Sequence, residues 1–205
     1  MKKFPAHLRA TFKALEGLDN ASKIQDLLDK LPINFGETCH SPLLVLQKRT
    51  AHCMEGALLA AAAFWYHGKK PLLLYLKTID GDQNHVVAIF KENGLWGAVS
   101  KTNHAVLRYR DPIYRTIREL AVSYFNEYFL DSGRKTMLGF LGPLDLSNTY
   151  GSDWLIAKKN LDSISYKADN SPYERVITKK TERSLRRAHS LERKAGKLVE
   201  WKKQK

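Results

Sequence analysis

Residues 49–64, RTAHCMEGALLAAAAF, constrain the fold more than any other stretch of this chain. Positions 57–63 are strong helix formers and apolar on every side, a pattern that fits a helix enclosed by other elements and not one lying on a surface. A chain with such a helix must supply apolar faces around it, so the other elements are read first as its packing partners. Cys53 falls where the helix begins. A thiol in the first turn meets the positive end of the helix dipole and backbone N–H groups that lack intrahelical acceptors, conditions that favour a thiolate and an oxyanion. Cysteine at such a position is more commonly a small core hydrophobe, so a nucleophilic role depends on partners elsewhere in the chain.

The flanking sequence supplies the packing partners. Apolar residues recur at helical spacing over residues 6–18 (Leu8, Phe12, Leu15, Leu18) and 22–31 (Ile24, Leu27, Leu28, Leu31), predicting two amphipathic helices. Residues 33–40 read as a loop. Ser41-Pro42 has the form of an N-cap followed by proline at the first helical position, opening a short helix through about Gln47. Beyond the central helix, residues 72–77 read as a buried strand. Residues 85–91 and 95–100 read as a hairpin across Asn93-Gly94, and residues 106–110 are a candidate further strand. Asp111-Pro112 is expected to cap a long helix reaching Tyr128. Residues 131–151 are glycine-rich and read as irregular, and residues 153–161 read as another helix.

The expectation is therefore an α+β domain over residues 1–170, with a central buried helix packed on a small antiparallel sheet and surrounded by helices. A basic C-terminal helix over residues 171–205 follows it. The net charge of +13 is concentrated there: residues 174–205 hold twelve Lys or Arg against four Glu, which leaves only +5 for the rest. Such a tail invites a weak polyanion contact, though it lacks the interleaved aromatic residues of a single-strand binding surface. No apolar run has the length of a membrane span and none resembles a signal sequence, so the expectation is a cytoplasmic protein without membrane insertion, its two cysteines present as thiols.

A cysteine nucleophile needs a base, and His85 opens a strand directly after the polar loop at residues 80–84. Three segments carry a likeness: His52-Cys53-Met54-Glu55-Gly56-Ala57, Asn84-His85-Val86-Val87-Ala88, and Gly94-Leu95-Trp96-Gly97-Ala98-Val99. Together they resemble the transglutaminase-like superfamily, a branch of the papain-like cysteine enzymes, over roughly residues 41–104. Residues 51–60, 96–103 and 112–125 are also similar to an uncharacterised bacterial group with this core. The resemblance implies a Cys53 and His85 pair that attacks an amide or peptide carbonyl, with the backbone N–H of Cys53 as one oxyanion donor. Gln47, six residues before the cysteine, holds the offset of the oxyanion-hole glutamine in papain and is the candidate second donor.

The residue that orients the histidine is normally an aspartate four positions after the strand tryptophan; here that position is Ser100. A hydroxyl accepts a hydrogen bond from an imidazole but cannot balance its charge. Asn103 is the alternative, as an amide is in papain-like proteases. A two-residue Asn93-Gly94 turn sets His85 opposite Thr102, with Ser100 diagonal on the same face, whereas a three-residue loop brings Asn103 opposite His85. Tryptophan spacing favours Ser100 and chemistry favours Asn103, and the expectation is that Asn103 takes the orienting role.

Cys39-His40 and His52-Cys53 supply zinc ligand types, but adjacent ligands diverge and the usual spacing is missing. Asp80-Gly81-Asp82 is too sparse for calcium. The expected activity is thus a cofactor-free, cysteine-dependent hydrolase or acyl transferase on a peptide or amide substrate. The alternatives are a non-catalytic binding module that keeps the fold, or a polyanion-binding protein acting through the tail.

Overall fold

The structure, a computed structural model, describes residues 2–203. It is α+β. Helices α1 (Ala21–Lys30), α2 (Pro42–Lys48) and α3 (Cys53–Tyr66) precede strands β1 (Leu72–Thr78), β2 (His85–Glu92), β3 (Leu95–Val99) and β4 (Arg110–Tyr114). After α4 (Ile117–Val122) come β5 (Met137–Asp145), α5 (Leu146–Tyr150), α6 (Asp162–Asp169), β6 (Glu174–Arg175), α7 (Lys179–Ser184) and α8 (Ser190–Gly196). The six strands form one sheet in the order β4-β3-β2-β1-β5-β6, and every neighbouring pair is antiparallel.

The sheet is covered on both faces, which explains the apolar runs of β1 and β2. Leu73, Tyr75, Val86, Ala88 and Phe90 face α3, while Leu74, Leu76, Val87 and Ile89 face Leu120, Ala121 and Tyr124 at α4. Helix α3 lies between the sheet and α1 and α2, and its residues 57–63 are wholly buried. Its alanines allow close approach to β2; larger side chains at those positions would force the layers apart.

Gly56 serves the same close approach. A Cβ there would lie 2.4 Å from Cβ of Lys101, a contact no pair of side chains tolerates. Alanine ordinarily favours a helix over glycine by about 1 kcal/mol, whereas overpacking a dense core costs about 1–3 kcal/mol. Gly56→Ala is therefore expected to lower the urea midpoint of unfolding; a raised midpoint would mean that helix propensity outweighs the contact.

Several expectations fail for local physical reasons. Residues 6–18 form two 3-10 turns, Ala6–Leu8 and Lys13–Leu15, although Leu8, Phe12 and Leu15 are buried as expected. Asp111-Pro112 does not cap a helix: both residues lie in β4, an edge strand, where proline's missing N–H is tolerated. The helix beyond it begins instead at the Thr116 cap and runs only from Ile117 to Val122. Within the stretch read as irregular, β5 is a nine-residue strand paired with β1 and β6. Its Gly139 is required because a Cβ there would meet the Glu174 carbonyl at 2.1 Å. Of the helix expected over residues 153–161, only a 3-10 turn at Asp153–Leu155 forms.

The C-terminal segment is not one helix. Its thin apolar stripe offers little to bury along a continuous rod, and the caps Thr178 and His189 open two separate short helices. Nor is it a detached appendage. It adds β6 to the sheet, buries Ala188, and returns along residues 103–105, where His104 bridges Val199 and the Ala105 N–H donates to the Leu198 carbonyl at 3.1 Å. Among the described residues no helix is long and apolar enough to cross a membrane.

Candidate active site

Cys53 is positioned by the way the chain enters α3. Helix α2 ends at Arg49, whose φ of 56° turns the backbone, and Ala51 then bridges Ile33 before His52 caps α3 and Cys53 becomes its first residue. The cap is reciprocal. The Nδ1 of His52 accepts the Met54 N–H at 3.3 Å, and the carboxylate of Glu55 accepts the His52 N–H at 3.1 Å. Glu55 is 0% exposed and fully engaged: it also accepts from the Asn34 amide, the Thr38 hydroxyl (2.7 Å) and the His40 N–H (3.0 Å), with the His40 ring at 2.8 Å. A buried charge with this many donors ties the loop at residues 34–40 to the first turn of the cysteine helix.

His85 is the first residue of β2. The polar loop before it closes on Asn84, whose side-chain oxygen accepts the Thr78 N–H at 2.9 Å. The hairpin turn is two residues, with φ of 49° at Asn93 and 83° at Gly94, and Glu92 pairs Leu95. Continued past the Ala88–Val99 pair, that register places Ser100 diagonally from His85 on the same face. The Nε2 of His85 and the Oγ of Ser100 are 2.8 Å apart. Because the Ser100 hydroxyl donates to the Leu107 carbonyl, its oxygen accepts from Nε2–H, leaving Nδ1 for the thiol.

Ser100 is itself held from two sides. The Gln25 side chain accepts from its N–H at 2.9 Å and donates to its carbonyl at 2.8 Å. Leu107 adopts a φ of 60°, a strained conformation for leucine, and its N–H is fixed by the Glu127 carboxylate, which also pairs with Arg110. The imidazole thus ends a chain of contacts running back to α1 and to the loop after β3.

Two imidazoles act on the sulfur. Burial alone would push the Cys53 thiol up, but His52 and His85, through hydrogen bonding and charge, bring it down to about 5. His52 moves the opposite way, to about 9: burial opposes its protonation, and the Cys53 sulfur, Glu55 and the Thr38 carbonyl overcome it. Neutral His52 caps the helix through Nδ1; protonated, it would turn a second donor toward the Met54 N–H, so the ring serves either the cap or the thiolate. Cys39 behaves as an ordinary core thiol, pushed up to about 12 by burial and then by Glu55.

Cys53 and His85 line a cavity of about 720 Å³ together with Lys101, Tyr128, Arg193 and Lys197. The last two come from α8 and the residue after it, so the basic tail forms one wall. The residues expected at the site divide accordingly. Cys53, His85 and Ser100 are brought together. Asn103 borders the cavity, but its amide is spent on the tail, donating to the Trp201 carbonyl at 2.9 Å and accepting from the Trp201 N–H at 2.8 Å. The contact with His85 therefore belongs to Ser100, against the chemical preference for Asn103. Gln47 is exposed on the last turn of α2, outside the cavity, because the turn at Arg49 and the extended residues before Cys53 carry the chain away from it.

The zinc ligand types at Cys39-His40 and His52-Cys53 are engaged otherwise: His40 and His52 turn to Glu55, and among the described residues no group of three or more His, Cys, Asp or Glu is placed to hold a metal ion. Gln25, Glu55 and Glu127 escaped the sequence reading. Only Glu55 left a usable trace, as the single acid inside an apolar helix, where a buried charge must have partners. No family model matches the chain, and no curated protein is recognisably similar to it.

Proposed function

We propose that this chain is a cysteine-dependent hydrolase or acyl transferase that acts on an amide or peptide carbonyl, built on a transglutaminase-like arrangement of helix and sheet. The observation that carries the reading is the Cys53 thiol at the first position of a buried helix, flanked by His52 and His85, with His85 oriented by Ser100. In the reaction so read, the Cys53 thiolate attacks the carbonyl carbon and forms a C–S bond while the π pair moves to oxygen. The oxyanion meets the N–H of Cys53, which has no intrahelical acceptor. Collapse breaks the C–N bond, the imidazolium of His85 gives its proton to the leaving amine, and water or an amine then releases the acyl group. Two unpaired thiols suit a reducing compartment, in keeping with a cytoplasmic setting.

Reactivity against pH tests the reading. A thiol lowered to about 5 is already thiolate at neutral pH, so alkylation of Cys53 by iodoacetamide is expected to be nearly flat above pH 6 and to fall as pH drops through 5. Cys39 should stay unlabelled in the native protein at neutral pH, and His85→Ala should slow Cys53 labelling severalfold. Labelling that rises only above pH 8, or Cys39 reacting first by peptide mapping, would remove the nucleophile.

One observation favours a binding module instead: Ser100 cannot balance an imidazolium as an aspartate would, and an inert Cys53 in the same experiment would support that reading. Polyanion binding through the tail draws less support, since Lys197 pairs with Asp131, and Arg175 with Glu182.

A further inference from the structure

Tyr128 is 3% exposed, and its ring packs in the apolar cluster of the α4 face with Leu76, Val87 and Met137. Among the described residues its hydroxyl has no hydrogen-bond partner, yet the residue lines the same cavity as Cys53 and His85. Buried polar groups are nearly always paired, so an orphan hydroxyl at the edge of a reactive site calls for an acceptor that arrives from outside the fold.

The group keeps its proton at neutral pH and is therefore available as a donor. Burial holds its ionisation well above the usual phenol range, and the negative charge of Cys53 acts in the same direction. Three of the four side-chain amides on the cavity wall are committed, and the fourth, Gln83, is exposed on the loop before β2. Asn34 donates to Glu55 and Thr38, Asn84 donates to Asp169, and Asn103 is held by Trp201. Arg193 Nε also lacks a partner, but it stands on the α8 wall with its guanidinium tied to the Asp131 carbonyl at 2.9 Å.

We propose that the Tyr128 hydroxyl is the second oxyanion donor, completing with the Cys53 N–H the pair that Gln47 does not supply. This rests on the nucleophile reading above and assigns the acceptor chemistry of the site: the carbonyl oxygen of the acyl group, bound more tightly as it becomes an oxyanion. The neutral phenol donates without transferring its proton. It is therefore a hydrogen-bond donor to the reacting oxygen and neither acid nor base in the step.

Two probes on the purified full chain separate the roles. Acetylation of Cys53 by p-nitrophenyl acetate passes through a tetrahedral oxyanion: the C–S bond forms, then the ester C–O bond breaks and p-nitrophenolate leaves. Alkylation by iodoacetamide displaces iodide at an sp³ carbon and forms no oxyanion. Tyr128→Phe keeps the ring and removes the donor. It is expected to slow acetylation by roughly 100- to 1000-fold, as loss of one oxyanion donor does, and to leave the alkylation rate and its pH profile unchanged.

Acetylation at the wild-type rate would overturn the assignment. So would parallel slowing of both reactions, or a shifted alkylation profile, which would make Tyr128 a partner of the thiolate. A variant that melts below the wild type would show that the hydroxyl has a structural partner, with the same consequence. Wild-type protein in which neither reagent modifies Cys53 would instead remove the nucleophile reading itself.

Discussion

Glu55→Gln is expected to destabilise the folded protein by about 2–4 kcal/mol, read as a lowered denaturant midpoint, and Glu55→Ala by about 3–5 kcal/mol, the usual cost of breaking a buried charged network. The reason lies in the donor count. One carboxylate oxygen accepts from the Thr38 hydroxyl and the His40 N–H beside the His40 ring, and the other from the His52 N–H; the Asn34 amide reaches both. An amide in that place keeps one oxygen and sets an NH₂ against at least two donors, whichever way it turns. Each buried donor left unpaired costs about 1–3 kcal/mol. The side chain is wholly buried, so water does not make up the loss. A Glu55→Gln midpoint within experimental error of the wild type would mean that the loop at residues 34–40 does not depend on this carboxylate.

The helix through Cys53 was legible because a run of small apolar residues has few places to go but the middle of a domain. The register of the β2–β3 hairpin stayed open between a two- and a three-residue loop, but the hairpin itself was legible because Asn-Gly marks a tight turn. Strand β5 was not. Its Gly139 and Gly142-Pro143 read as breakers, and only the close approach of β6 explains the first glycine. The tail was misread for a related reason: its charges dominate the composition, while what anchors it is backbone pairing with residues 103–105, which leaves no mark in side-chain pattern.

At the site, adjacency along the chain left a trace that convergence across it did not. His52 and Glu55 lie within three residues of Cys53 and belong to a helix start, whereas Gln25 reaches Ser100 across 75 positions and Glu127 reaches Leu107 across twenty. Gln47 shows the converse error. An offset of six from the cysteine has meaning only if the intervening backbone takes the same path, and the left-handed Arg49 sends it elsewhere.

Ser100→Ala is expected to lower acyl transfer by about 10²-fold or more, the scale on which a misplaced catalytic group costs rate, while Asn103→Ala changes it severalfold at most. The Ser100 hydroxyl is the atom that both receives the His85 Nε2–H and hands its own proton to the Leu107 carbonyl. Without it, Nε2–H faces an apolar gap, and neither the tautomer that presents Nδ1 to Cys53 nor the ring's rotation is fixed. Backbone position should survive, because Gln25 holds the Ser100 N–H and carbonyl independently of the side chain. Asn103, by contrast, binds Trp201, so its loss should loosen the tail wall of the cavity and appear in KM before kcat. Both variants should retain Cys53 labelling by iodoacetamide, since His52 still flanks the sulfur. A larger kcat loss in Asn103→Ala than in Ser100→Ala, measured on folded protein with p-nitrophenyl acetate, would return the orienting role to the amide; equal and negligible losses would leave Cys53 to act with its imidazoles alone.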